Sequence, residues 1–334
     1  MDEYGCFLGR SKGCLLIRDR NGKEKKYPII ENQIGEVQLK SGNSVSVGAL
    51  ATLGFWGIDC LVMTQRGNPV AMLKSLSDDM HVETRISQYR ALENGKGKEI
   101  AKTIVAAKLE GQNQILKKYG LKRLDYNYGE RIKKLQEEDF AELRRKLTQI
   151  EAKSAKKYFH EMFSLFPEIV RPERRRTYKA FDGTNNMFNL GYAMLRWKVH
   201  VALLKAELEP YLGFLHSTQF GKPSLVADFQ ELYRYLVDDF IVQNFMKLSK
   251  KDFVLKDANY SSKRKGKREY LKRKKDQAFI KKLNKYFTRI VELPRIRVGR
   301  RQEIETLINE EAFLFAKYLR GEKTHWEPRT AELR

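Results

Sequence analysis

Glu151, His216, Asp228 and Glu231 have the types and spacing of a divalent-cation site. Asp228 and Glu231 stand three apart, which puts both carboxylates on one helix face, beside the apolar stripe Leu225, Phe229, Leu232 and Leu236. Two half-buried acids repel each other unless a cation or a proton intervenes. Arg234, three residues after Glu231, is one available partner and a metal ion is another. Glu151 lies one turn after Leu147 and one turn before Ala155, beside a stripe ending in Tyr158, Phe159 and Met162. There it is either the partner of one of the many Lys/Arg or an inward-facing functional carboxylate with room left by Ser154 and Ala155. His216 follows Gly213 and precedes Gly221 and Pro223, a loop setting that suits a ligand better than a helix face does. One imidazole and two or three carboxylates from separate elements suit Mn²⁺ or Mg²⁺ rather than zinc thiolate chemistry. On a basic surface, such a site points to phosphodiester chemistry, with the metal on the phosphoryl oxygens and Lys/Arg on the backbone.

The surface is basic. The chain of 334 residues holds 65 Lys+Arg against 42 Asp+Glu, a net charge of +23, which calls for a polyanionic partner. Arg174, Arg175, Arg176 and Lys179 form one candidate phosphate clamp, joined by Lys222. Asn185 and Asn189, one turn apart, either knit loops together or touch substrate. The run Lys263–Arg268, followed by Lys272–Lys275, is either a solvated loop entering a helix or a phosphate-binding patch. Walker, dinucleotide-binding, zincin and nucleophile-elbow motifs are absent. Gly9–Gly13 reads as a hairpin turn. Cys6, Cys14 and Cys60 form neither a disulfide framework nor a zinc cluster, which fits a reducing, cytoplasmic setting. The acidic start Met1-Asp2-Glu3 is no signal peptide, and the apolar window 48–63 is interrupted by Asp59, so no membrane span is expected.

The elements that must position these residues change character near residue 78. Before it, short β-like runs alternate with turns: Cys14–Ile17 up to Asp19-Arg20-Asn21-Gly22, then Lys26–Ile30, Ile34–Leu39, Cys60–Met63 and Val70–Leu73, with one short helix over Val45–Leu53. After it, helical stripes dominate, among them Ile104–Leu116, Phe140–Ile150, Met187–Leu208, Leu225–Met246 and Arg301–Leu319. Charge divides at the same place: 10 Lys/Arg against 9 Asp/Glu over residues 1–80, and 55 against 33 over residues 81–334. The expected class is α+β: a small β-sandwich-like domain over residues 1–78 suited to protein contact, then a larger all-α domain over 79–334 carrying the site.

The ordered set of motifs resembles the "Cas-one" family of CRISPR-associated spacer-acquisition integrases. The resemblance is carried by Ile150-Glu151-Ala152-Lys153-Ser154-Ala155-Lys156-Lys157-Tyr158-Phe159, by the Asn-rich helix start Asp182–Tyr192, by Gly213-Phe214-Leu215-His216 with Gly221-Lys222-Pro223-Ser224-Leu225, and by Asp228-x-x-Glu231-Leu232-Tyr233-Arg234. It covers most of the chain. One departure is Asp182-Gly183, where that family often has Asp-Pro. The resemblance implies that Glu151, His216 and Glu231 bind the catalytic Mg²⁺ or Mn²⁺, with Asp228 adjacent, orienting a ligand or sharing the charge. It further implies a homodimer formed through the N-terminal domain, a small ferredoxin-like partner ("Cas-two"), and double-stranded and branched DNA as substrates. The implied reaction inserts short DNA fragments into a CRISPR array by 3′-hydroxyl attack on a phosphodiester, with related cutting of branched DNA. The contrasting expectation is a non-catalytic, basic DNA-binding scaffold whose acids merely balance nearby Arg/Lys.

Overall fold

The computed structural model describes residues 3–30, 34–65, 67, 69–75, 82–125, 127–136, 139–178, 180–261, 264–292 and 301–333. The elements fall into two compact units, Met1–Val82 and Glu83–Arg334. The boundary expected at 78/79 lies outside the described residues.

The first unit is β-rich. It contains β1 (Phe7–Ser11), β2 (Cys14–Arg18), β3 (Glu24–Pro28), β4 (Glu36–Lys40), β5 (Ser44–Val45), α1 (Val47–Phe55), β6 (Asp59–Met63) and β7 (Pro69–Leu73). Turn chemistry sets its first sheet. Lys12 and Gly13 both take positive φ, 42° and 76°, the twist a two-residue hairpin needs between β1 and β2. The Asp19 carboxylate accepts from the backbone N–H of Asn21 and of Lys23, which closes the next hairpin. One sheet runs β3-β2-β1-β5 and the other β4-β6-β7. Ser46 caps α1 by accepting from Ala49 N–H. Leu8, Leu15, Leu39, Ala49, Leu53 and Cys60 from both sheets and α1 make one core.

The second unit contains α2 (Val82–Glu93), α3 (Lys96–Lys118), α4 (Tyr128–Lys133), α5 (Phe140–Phe163), α6 (Gly183–Lys205), α7 (Ser224–Glu231), α8 (Arg234–Phe245), β8 (Phe253–Ser261), β9 (Arg264–Leu271), α9 (Arg273–Phe287), β10 (Ile290–Glu292), β11 (Arg301–Glu303) and α10 (Ile304–Leu319). Central α3 packs on α5, α7 and α8, and α6 packs on α7, α8 and α10. Phe163, Phe166, Phe188, Phe229, Phe240 and Phe315 are sealed inside; each is worth about 2–3 kcal/mol of burial. No helix among the described residues is long and apolar enough to cross a membrane.

Two expectations need correction here. The α+β class holds, but the second unit is not all-α: β8–β9 and β10–β11 are antiparallel hairpins. The basic stretch 264–268, read as either a solvated loop or a phosphate-binding patch, is part of β9 rather than a loop. Its Lys/Arg-rich sequence hides the strand because, among the described residues, the hairpin's base, Phe253 opposite Leu271, is the part sealed against the core. Lys263 lies outside the described residues. The second correction is at Leu225–Met246, which is two helices rather than one. Hydrogen bonds from Leu232 N–H to Phe229 O and from Tyr233 N–H to Gln230 O tighten the chain at the break, where Tyr233 has φ −125°. No Gly or Pro marks it in the sequence.

Candidate metal centre

Four segments of the second unit bring the site together. From α5 comes Glu151, two turns after Arg144, whose guanidinium donates to Phe214 O at 2.6 Å and Gly213 O at 3.3 Å. These bonds tie α5 to the loop that carries His216. That loop folds tightly at Gly213, where a Cβ would lie 2.7 Å from both His216 O and Ser224 Cβ, so only glycine fits.

Asp228 and Glu231 share one face of α7, and both are buried. The like charges are resolved separately. The Asp228 carboxylate accepts from the backbone N–H of Phe214 (2.6 Å), Leu215 (3.0 Å) and His216 (2.9 Å), and meets His216 Nδ1 at 2.7 Å. A carboxylate is an acceptor only, so Nδ1 carries the proton and, in the neutral ring, Nε2 keeps its lone pair free. Burial works against the charged imidazole, but the Asp228 hydrogen bond and the charges of Asp228, Glu231 and Glu151 outweigh it and raise the His216 pKa. The same contributions put His216 in the electrostatic reach of both glutamates. Asp228 therefore positions the loop and the imidazole, and its oxygens are spent.

Glu231 is held by two cations. Arg234 donates to Oε1 at 2.7 Å, and Lys108 Nζ, from α3, lies 2.6 Å from Oε2. Burial pushes the Glu231 carboxyl up, but these cations bring it well below the usual carboxylate range. Lys108 Nζ also pairs with Glu151, so one ammonium, itself 6% exposed, bridges the two glutamates. The Lys108 contact to Oε2 is an ion pair that misses hydrogen-bond alignment, and Oε2 is a buried oxygen without a hydrogen-bond donor.

Whether Glu151, His216 and Glu231 suit a metal follows from these contacts. Among the described residues no group of three acidic, His or Cys side chains stands ready as a metal cage, and the Lys108 ammonium pairs with both glutamates. The donor set nonetheless fits a hard divalent ion: two carboxylates already gathered around a positive charge, an undonated buried oxygen, and an imidazole whose far nitrogen is anchored on a carboxylate.

Behind the site, Arg234 stacks over the Tyr192 ring at 4.2 Å. The Tyr192 hydroxyl donates to Asp238, as does the Tyr158 hydroxyl at 2.7 Å. Lys108, Arg144 and Asp238 escaped the reading of the sequence. A lysine at position 108, one turn after Ile104 on the apolar stripe, was the signal available for the first.

The phosphate-clamp residues divide. Arg174 is exposed, and Lys222 is exposed with its ammonium on Gln219 at 2.5 Å. Lys179 lies outside the described residues. Arg175 is a correction: its guanidinium donates to Asn185 Oδ1 (3.0 Å), Asn189 Oδ1 (2.6 Å) and Arg176 O (2.5 Å) and lies against Tyr192. Both of its terminal nitrogens are engaged inside the protein. Half-buried Arg176 donates its backbone N–H to Asn185 Oδ1, and the two asparagines knit this loop to α6.

The family model described as "CRISPR associated protein Cas1" matches residues 1–276. The CRISPR-associated endonuclease Cas1 2 of Pyrobaculum aerophilum is 34% identical over 244 residues, covering 72% of this chain and 80% of that protein. Among solved structures, a casposase bound to integration product has a TM-score of 0.71 at 20% identity, over 99% of this chain and 97% of that one. A partial Cas6-RT-Cas1–Cas2 complex also gives 0.71, at 17% identity, over 100% and 98%. These two likenesses are of fold.

Proposed function

The chain belongs to the family of CRISPR-associated Cas1 proteins, and from that premise we propose that it is a divalent-metal-dependent DNA integrase and endonuclease of CRISPR adaptation. The observation that carries the reading is the pair of buried or half-buried glutamates, Glu151 and Glu231, gathered around one positive charge beside an imidazole oriented by Asp228. Glu151, Glu231 and His216 Nε2 would hold Mg²⁺ or Mn²⁺. When bound, such an ion polarises the phosphoryl oxygen and eases charge on the attacking or leaving oxygen.

The protein's own residues supply the rest. Asp228 fixes the imidazole tautomer, so that Nε2 needs no rearrangement to act as a ligand. Arg234 holds one oxygen of Glu231, and the other, which faces Lys108, would be the one to meet a metal ion. Exposed Arg174 and Lys222 contact the phosphates. In strand transfer the 3′-hydroxyl of a DNA fragment loses its proton and forms a new P–O bond, while the target's 3′-oxygen leaves and is protonated. In hydrolysis, water takes the hydroxyl's place. The family reading brings Cas2 and a second copy of this chain as partners.

A second reading rests on the same ion pairs: Glu151 and Glu231 balance Lys108 and Arg234, and the chain binds DNA without chemistry. A gel assay on branched DNA with a free 3′-hydroxyl separates the two. With Mn²⁺, wild type is expected to give joined and cut strands, EDTA to abolish them, and Glu231→Ala to reduce them at least about a hundredfold while circular dichroism stays unchanged. Salt-sensitive binding with no metal-dependent product, with Cas2 present, would favour the scaffold.

A further inference from the structure

Lys108 is not among the groups the proposed reaction uses, yet it occupies the centre of the site. Its ammonium pairs with Glu151 and lies 2.6 Å from Glu231 Oε2, at 6% exposure. A buried ammonium is tolerated only when compensated, and here both would-be metal ligands are spent on it. The neighbouring Arg234 guanidinium, 2.7 Å from Glu231 Oε1, completes a cluster of two anions and two cations.

That balance decides what a divalent ion meets. Adding two positive charges to an already neutral, buried cluster is unfavourable. Adding them while one ammonium withdraws leaves a single excess charge. Arg234 is locked by its bond to Glu231 and its stack on Tyr192. Lys108 is the freer of the two: a compact charge on a flexible four-carbon stem, whose Nζ can leave while its backbone stays in α3. It also lacks an aligned hydrogen bond to the Oε2 it faces.

We infer that Lys108 is a resident counter-ion that holds Glu151 and Glu231 together in the metal-free protein and must be displaced for the divalent ion to bind, so that it sets the metal affinity of the site. This rests on the reading of Glu151, His216 and Glu231 as metal ligands. In the metal-free state it prevents the two glutamates from repelling each other. In the loaded state its ammonium lies outside the ligand sphere.

The test uses the full-length protein and MnCl₂, with free Mn²⁺ followed by electron paramagnetic resonance. Lys108→Met is expected to bind Mn²⁺ at least tenfold more tightly than wild type. Without metal it should melt at a lower temperature, and Mn²⁺ should raise its melting point by more than it raises that of wild type. Equal or weaker Mn²⁺ binding by Lys108→Met overturns the proposal. Should that variant fail to fold, wild type alone decides. Lys108 acetylation by an amine reagent, mapped by mass spectrometry, should rise several-fold on going from EDTA to saturating Mn²⁺, and unchanged labelling overturns the inference. If neither wild type nor Lys108→Met binds Mn²⁺ above the level of Glu231→Ala, the metal-site reading fails along with it. If wild type binds Mn²⁺ and only the two Lys108 readouts fail, the metal-site reading stands.

Discussion

Behind Arg234, which holds Glu231, lies a carboxyl sealed by two tyrosines. Asp238 is 2% exposed and accepts from Tyr158 and Tyr192. Burial pushes its pKa up to about 6, against the tyrosine hydrogen bonds and the Arg234 and Arg175 charges that pull it down. The sign follows from linkage. A folded-state value above the unfolded one gives a contribution to stability that is full below the ordinary aspartate value of 3.8 and is lost as pH rises through about 6. Asp238→Asn cannot titrate. The stability advantage of wild type over Asp238→Asn should therefore shrink by about 1 kcal/mol between pH 5 and pH 7.5, read from urea unfolding at the two pH values. A constant difference would mean that Asp238 is ionised throughout. At this scale the sequence is half legible. The chemistry-bearing His216, Asp228 and Glu231 stand out because acids and imidazoles are conspicuous beside apolar stripes. Lys108 and Asp238 do not, because their roles depend on helices far apart in the chain meeting at one point.

The elements explain why glycine stands at position 183. Asp182 caps α6 by accepting from Asn185 N–H at 2.7 Å, at the helix start the sequence had marked. What it hid is the hairpin docked there. A Cβ at position 183 would lie 2.0 Å from the Phe253 ring, and Gly183 N–H donates to Glu269 Oε2 at 3.0 Å. Asn186 Nδ2 adds a bond to Glu269 O at 2.7 Å. Glycine therefore makes room for β8 and supplies a donor to β9, and proline would fail on both counts. Gly183→Ala should destabilise by about 1–3 kcal/mol through overpacking, and Gly183→Pro by about 1 kcal/mol more through the lost donor. Pairing Gly183→Ala with Phe253→Leu in a double-mutant cycle should recover much of the first loss. Strict additivity would show that the ring and the glycine do not compete for space. The hairpin is illegible because strand patterning is read from apolar–polar alternation, and β9 opens on six residues, Arg264 to Glu269, with no apolar side chain among them.

At the scale of the whole molecule, the uneven charge predicts two associations, one weakened by salt and one indifferent to it. Residues 81–334 carry the excess of Lys/Arg, whereas residues 1–80 are close to neutral. The first unit also exposes Ile30, Val47, Phe55, Trp56 and Val70, and exposed apolar groups on a neutral surface drive association that salt does not weaken. DNA binding by the basic unit releases counterions, so six to ten phosphate contacts imply a loss of about a thousandfold or more in affinity between 50 and 200 mM salt. If the proposed homodimer forms through the first unit, its mass in sedimentation experiments should not change over the same range. Phe55→Asp should then give a monomer whose second unit keeps its far-ultraviolet circular dichroism. A dimer that dissociates as salt rises would instead place the self-contact on charged surface. It would also break the division of labour inferred from the charge pattern, since the same basic unit would then be recruiting both DNA and a second copy of the chain.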